Sequence, residues 1–196
     1  MKLTVIGGGS TYTPELVGGL LARPETLPIT ELALMDVDEE RLEVVGGFAG
    51  RMAQAAGGPF LVTLHTDRLV ALEGAAFVIT QFRVGQMAAR REDEHLGMRH
   101  GLVGQETTGV GGFAKALRTI PVMLDAAREM GEVAPDATLV NFTNPSGLVT
   151  ESLSRYAPGL RAIGLCNAPI GNVMHVAKFA GVDPADVQID MLGLNT

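Results

Sequence analysis

An α/β fold, a doubly wound and mostly parallel sheet, is predicted by three features of this 196-residue chain. Short apolar runs alternate with longer stretches of helical periodicity. The runs are continuous rather than alternating apolar and polar, as strands covered on both faces must be. The first run opens directly into Gly7-Gly8-Gly9-Ser10, a glycine turn leading into a helix.

Strands are expected over Lys2–Ile6, Leu32–Met35, Phe60–Leu64, Phe77–Thr80, Thr138–Phe142 and Ala162–Leu165. Between them, Pro14–Ala22, Glu39–Ala56, Gly112–Met130, Ser146–Tyr156 and Asn172–Ala180 carry apolar residues at helical spacing, as in Leu16 and Leu20. Thr13 is expected to cap the first helix, with Pro14 at its first position, where the missing N–H costs nothing. From Arg83 to Gly112 the rhythm breaks. That stretch is polar, carries Arg83, Arg90, Arg91, His95, Arg99 and His100, and reads as a long functional loop over the ligand crevice. With no repeat and no Ser/Gly linker, no domain boundary is expected inside the first 165 residues.

Composition bounds the function. A net charge of −7 and the lack of a dense Lys/Arg block argue against a nucleic-acid partner and favour a small molecule. No apolar run reaches the roughly 18 residues that would cross a bilayer, so no membrane partner is expected. Met1-Lys2 leads into a strand rather than a signal-peptide core, which points to the cytoplasm. Cys166 is the single cysteine, which excludes an internal disulfide and suits a reducing compartment.

A strand, a glycine turn and a helix bring backbone N–H groups and a helix dipole to a pyrophosphate. The match to G-x-G-x-x-G is incomplete, because Tyr12 takes the third glycine's place. Asp36, at the end of the second strand, would accept hydrogen bonds from a ribose 2′-hydroxyl and so favours NAD over NADP. The alternative is a plain β–α turn with a solvated Asp. Two more motifs follow strands: Asn141-Phe142-Thr143-Asn144-Pro145-Ser146 and Leu165-Cys166-Asn167-Ala168-Pro169-Ile170. Both fall at carboxyl ends, where open α/β sheets bind ligands.

These motifs, together with Phe82-Arg83-Val84-Gly85, Ala89-Arg90 before Asp93-Glu94, Gly104-Gln105-Glu106-Thr107 and Gly193-Leu194-Asn195, resemble glycoside hydrolase family 4. These are NAD- and metal-dependent 6-phosphoglycosidases that depart from two-carboxylate hydrolysis. The resemblance implies a Rossmann-like fold and redox-assisted elimination. Hydride leaves C3 of the sugar, the C2 proton becomes acidic, the C1 group is eliminated, water adds and the hydride returns.

By the same resemblance the cofactor site comprises Gly7, Gly8, Gly9, Ser10, Thr11, Asp36 and Thr143, and Cys166 is a thiolate ligand of manganese(II) or another divalent metal. Arg90 and Asn144 would hold the substrate's 6-phosphate, although Asn144 could instead cap the following helix. Glu106 is a candidate catalytic carboxylate, its alternative being a solvated loop residue. Cys166-Asn167 resembles the 6-phospho-β-glucosidase branch rather than the Cys-Asp of the α branch. Asn167 would then position the sugar or its leaving group, since an amide cannot exchange a proton as a carboxyl does.

The chain departs from the family pattern as well. Family members are longer, and their second half supplies a tyrosine base, more of the sugar pocket and much of a homo-oligomer interface. A histidine ligand should follow Gly193-Leu194-Asn195, but Thr196 stands there, and neither Tyr12 nor Tyr156 fits the base. The resemblance therefore implies an NAD-binding domain over residues 1–165, the start of a catalytic and substrate region that is cut short over 166–196, and NAD binding with little turnover by this chain. Its rivals are a lactate/malate-type dehydrogenase and a non-catalytic NAD-binding module.

Overall fold

A computed structural model describes residues 1–190, and the Gly193-Leu194-Asn195 motif lies outside the described residues. In chain order the elements are β1 (Lys2–Ile6), α1 (Thr13–Leu21), β2 (Glu31–Met35), α2 (Glu39–Ala55), β3 (Leu61–His65), α3 (Arg68–Leu72) and β4 (Ala75–Thr80). There follow α4 (Gln86–Arg99), α5 (Gly109–Val133), β5 (Thr138–Asn141), α6 (Ser146–Tyr156), β6 (Arg161–Gly164), α7 (Ala168–Ala180) and a short 3₁₀ turn, Pro184–Asp186. The six strands form one parallel sheet in the order β3-β2-β1-β4-β5-β6.

The apolar runs sit in the middle of this sheet because both of its faces are covered. On one face Val5, Leu32 and Leu34 are buried with Val17 of α1 and Leu42 of α2. On the other, Val78 and Leu139 meet Met123 and Met130 of α5, all fully buried. Each such side chain contributes about 1.5–3 kcal/mol by leaving water. Thr4 is buried as well, and its hydroxyl donates to the Ala71 carbonyl at 2.7 Å, so no polar group is stranded there.

All six strands and five helices stand where the periodicity puts them, with ends that shift by up to four residues. Two expectations need correction, and one helix was not foreseen. Thr13 is the first residue of α1 rather than its cap: Tyr12 precedes the helix, no side chain caps it, and the Thr13 hydroxyl donates to the Gly8 carbonyl at 2.8 Å. Residues 68–72 form a helix, capped by Asp67, that was too short to leave a period. The expected Arg83–Gly112 loop carries helix α4 across Gln86–Arg99, and its last four residues already belong to α5.

Helix α4 lacks an apolar stripe and is held by other means. Arg90 pairs with Glu94 one turn on, and Arg118 of α5 grips the buried Asp93 through two hydrogen bonds of 2.9 and 2.6 Å. α5 comes in so closely that a Cβ at Gly111 would stand 2.7 Å from the Asp93 carbonyl oxygen of α4. Among the described residues no helix is long and apolar enough to cross a membrane.

α3 is tied to α5 by a two-pronged ion pair, Arg68 to Glu129 at 2.5 and 2.7 Å. Hydrogen bonding to Arg68, partly opposed by desolvation, holds the Glu129 carboxyl below its ordinary 4.5. A depressed carboxylate stabilises the fold above its unfolded pKa and loses that contribution as the pH falls through the folded value. Glu129→Gln should cost about 1–2 kcal/mol near neutral pH. In urea unfolding the gap between parent and variant should hold down to the ordinary carboxylate range and narrow below it.

Candidate active site

The connections from β1 and β4 run to opposite faces of the sheet, so a crevice opens between the carboxyl ends of these two strands. The turn after β1 fills its floor. Gly7 has φ +94°, and a Cβ there would stand 2.7 Å from the Phe82 nitrogen, so only glycine fits. The N–H groups of Gly7 and Gly8 both donate to the Met35 carbonyl at 2.8 Å, Gly9 N–H donates to Asp36 Oδ2 at 2.9 Å, and Ser10 N–H donates to the Gly7 carbonyl. These amides, expected to face a ligand, build the turn instead. Among the described residues Thr11 N–H has no partner, and it is exposed at the positive end of α1.

Asp36 accepts from Gly9 N–H with one oxygen and from Asp38 N–H with the other, and each oxygen keeps a lone pair. An anion-attracting helix end beside a carboxylate with spare acceptor capacity fits a dinucleotide: phosphate at the first, ribose at the second.

Gln81, which the sequence reading passed over, locks the turn. Its amide donates to the Gly7 carbonyl at 3.2 Å and to the Thr13 hydroxyl at 2.8 Å, joining β4 to α1. Across the crevice Tyr12 meets Phe142 edge-on at 5.7 Å.

The loop after β5 hangs on the fully buried Asn141. Its oxygen accepts from the Thr80 hydroxyl and Thr143 N–H, both at 3.0 Å, and its nitrogen donates to the Thr150 hydroxyl at 3.1 Å. Two candidates beside it keep unused polar atoms. The Thr143 hydroxyl is buried without a partner among the described residues. The Asn144 side chain caps nothing, since Pro145 precedes α6 and among the described residues no side chain accepts from the amides of its first turn. The capping alternative is thereby excluded.

Ser146 donates to the Leu165 carbonyl at 3.1 Å and so draws the loop after β6 alongside. Cys166 is a half-buried free thiol in a groove shared with Ser146, Gly147 and Thr150, and Asn167 is exposed at the start of α7. Among the described residues no three His, Cys, Asp or Glu side chains converge. One thiol is too few donors for a manganese site, so the described residues hold at most part of one.

Glu106 is not the solvated loop carboxylate of the alternative reading: only 14% of its side chain is exposed. Arg83, Arg90 and the buried Lys115 all bond to it. Burial works against its charge, but Lys115 and Arg83 outweigh this and hold its pKa below the ordinary value. Desolvation pushes Lys115 down, against the pull of Glu106. Arg90 also grips Glu94 at 2.9 and 2.5 Å, so three cations stand against two carboxylates. The sequence displays these residues but not their convergence from α4, α5 and two loops.

Residues 2–182 match the model of the family 4 glycosyl hydrolases. The chain belongs to this family. It is 51% identical, over its whole length, to the probable 6-phospho-beta-glucosidase of Bacillus subtilis, of which it spans 45%. The 6-phospho-beta glucosidase of Thermotoga maritima, solved with NAD and glucose-6-phosphate, superposes with a TM-score of 0.88 at 41% identity, covering 96% of this chain and 45% of that one. A 6-phospho-alpha-glucosidase from gut microorganisms, solved with NAD and Mn²⁺, gives 0.90 at 31% identity, covering 95% and 43%. The chain thus spans under half the length of these relatives, and both branches of family 4 share its fold.

Gly7→Ala should cost about 2–4 kcal/mol, combining left-handed backbone strain with the clash at Phe82. Thermal unfolding would show a lowered midpoint, and an unchanged one would mean that the turn is not held as described.

Proposed function

We propose that this chain is the NAD-binding part of a family 4 enzyme that hydrolyses 6-phospho-β-glucosides. The observation carrying this reading is the glycine turn with Asp36 on the same sheet edge as Asn144 and Cys166-Asn167, in a chain 51% identical to a relative of that name. The β preference rests on Asn167, where a carboxamide can orient a leaving group but cannot protonate it.

When bound, NAD supplies a reversible hydride acceptor and a divalent metal supplies Lewis acidity. The chain's own groups bind and orient. Thr11 N–H and the α1 terminus receive the pyrophosphate, with Gly7, Gly8, Gly9 and Ser10 shaping the turn, and Asp36 accepts from the ribose. The spare Thr143 hydroxyl faces the cofactor. Arg90 and Asn144 hold the 6-phosphate. Glu106, kept ionised by its three cations, orders Arg83, Arg90 and Lys115 around that phosphate rather than donating a proton. Asn167 fixes the sugar or its leaving group, and Cys166 contributes one thiolate to a metal site that needs further donors.

Calorimetry on the 196-residue chain should show NAD bound more tightly than NADP, and Asp36→Ala should weaken NAD by about 1–3 kcal/mol. Equal affinity for the two cofactors would refute the role of Asp36. This chain should turn over slowly, so kinetics belong to the longest polypeptide its gene encodes, with NAD and Mn²⁺. There a 6-phospho-β-glucoside should be cleaved in preference to the α anomer without net NADH. Arg90→Ala should raise KM for it by about 100-fold, far more than for the unphosphorylated glucoside. Net NADH from a 2-hydroxy acid would overturn the reading.

A further inference from the structure

Arg41, the third residue of α2, has no part in the site as described, yet it borders the glycine turn beside Asp36. Its Nε and Nη2 donate to the Gly9 carbonyl at 3.4 and 3.2 Å, while Asp36 takes the N–H of the same residue at 2.9 Å. A Cβ at Gly9 would stand 2.9 Å from Asp36 Oδ2 and 3.2 Å from Arg41 Cβ. Carboxylate and guanidinium therefore flank one backbone unit of the glycine turn. The backbone N–H of Arg41 is held by Asp38, which caps α2, so the base of the side chain is fixed.

The rest of Arg41 is uncommitted. Among the described residues it pairs with no carboxylate, the residue is exposed, and a single backbone oxygen leaves most of its five donors free. A guanidinium held by a neutral carbonyl keeps its full charge for a ligand. Beside the ribose position that ligand is either a 2′-hydroxyl, which suits Asp36, or a 2′-phosphate, which suits an arginine fork and is repelled by a carboxylate.

Resting on the NAD reading above, we propose that Arg41 is a latent 2′-phosphate site that Asp36 alone keeps closed to NADP. Cofactor choice in this chain is then set by one side chain. Removing the Asp36 charge unmasks a phosphate binder that is already in position, with no need to build a new cationic pocket. Asp38, another anion nearby, is occupied with the α2 cap and with Gln86 at 3.4 Å, and it opposes the phosphate less directly.

The test is calorimetry of NAD and NADP with the 196-residue chain, its Asp36→Ser variant and the Asp36→Ser/Arg41→Met double variant, each checked for folding by circular dichroism. Met keeps the aliphatic stem of Arg41 against the turn and removes only the charge. Asp36→Ser should weaken NAD and tighten NADP by about 10-fold or more, a gain that fades with salt. Adding Arg41→Met should abolish that gain by about 10- to 100-fold. Arg41→Met alone should change NAD affinity far less, which a merely structural role in holding the turn would not allow. If the double variant binds NADP as tightly as Asp36→Ser, or if Asp36→Ser gains no NADP affinity while the parent binds NAD, the Arg41 assignment falls and the NAD reading stands. A folded parent that binds neither dinucleotide overturns both.

Discussion

The Met35 carbonyl, at the carboxyl end of β2, accepts the N–H groups of both Gly7 and Gly8, and the next residue's carboxylate accepts that of Gly9. Three successive amides of the turn are thereby fastened to the neighbouring strand. The fastening forces Gly7 into a positive φ, brings its Cα against the Phe82 backbone and turns the N-terminus of α1 outward over the crevice. Gln81 completes the arrangement from the other side through Gly7 and Thr13. A rigid turn matters because a phosphate bound by an already ordered helix end loses little affinity to ordering that backbone.

A second constraint acts at the far side of the edge, and it is electrostatic. Glu106 gathers Arg83, Arg90 and Lys115, whose mutual repulsion would otherwise spread them apart. Together with the Arg118–Asp93 pair this explains how α4, with hardly any apolar surface to bury, docks on α5. The cluster is two things at once: the fastening of a polar helix, and a preassembled set of donors with cationic charge left over.

Beyond β6 the chain presents an apolar flank. Ile163 on the edge strand, and Ile170, Met174 and Phe179 on α7, are exposed, Phe179 almost completely. The two core layers lie closer to the centre of the sheet, around β1, β2, β4 and β5. The half of the crevice around the glycine turn is therefore held by a full complement of buried partners, while the Cys166 groove lies beside the thinly covered edge.

The sequence by itself determined the layering and the functional edge: continuous apolar runs demand a sheet covered on both faces, and the glycine turn, Asp36 and the Asn144 and Cys166 motifs fall after strands, hence on one edge. Those are local signals, legible because strand burial and turn conformation act over a few residues. The family resemblance was legible too, since its motifs keep their order along the chain. Helix α4 was not, because ion pairs to α5 stabilise it rather than an apolar period. Nor were the spent amides of the glycine turn, the role of Gln81, the burial of Glu106 or the placement of Arg41 beside Asp36. Each depends on groups tens of residues apart meeting within hydrogen-bond distance, and that proximity is decided only when the sheet and its helices have packed.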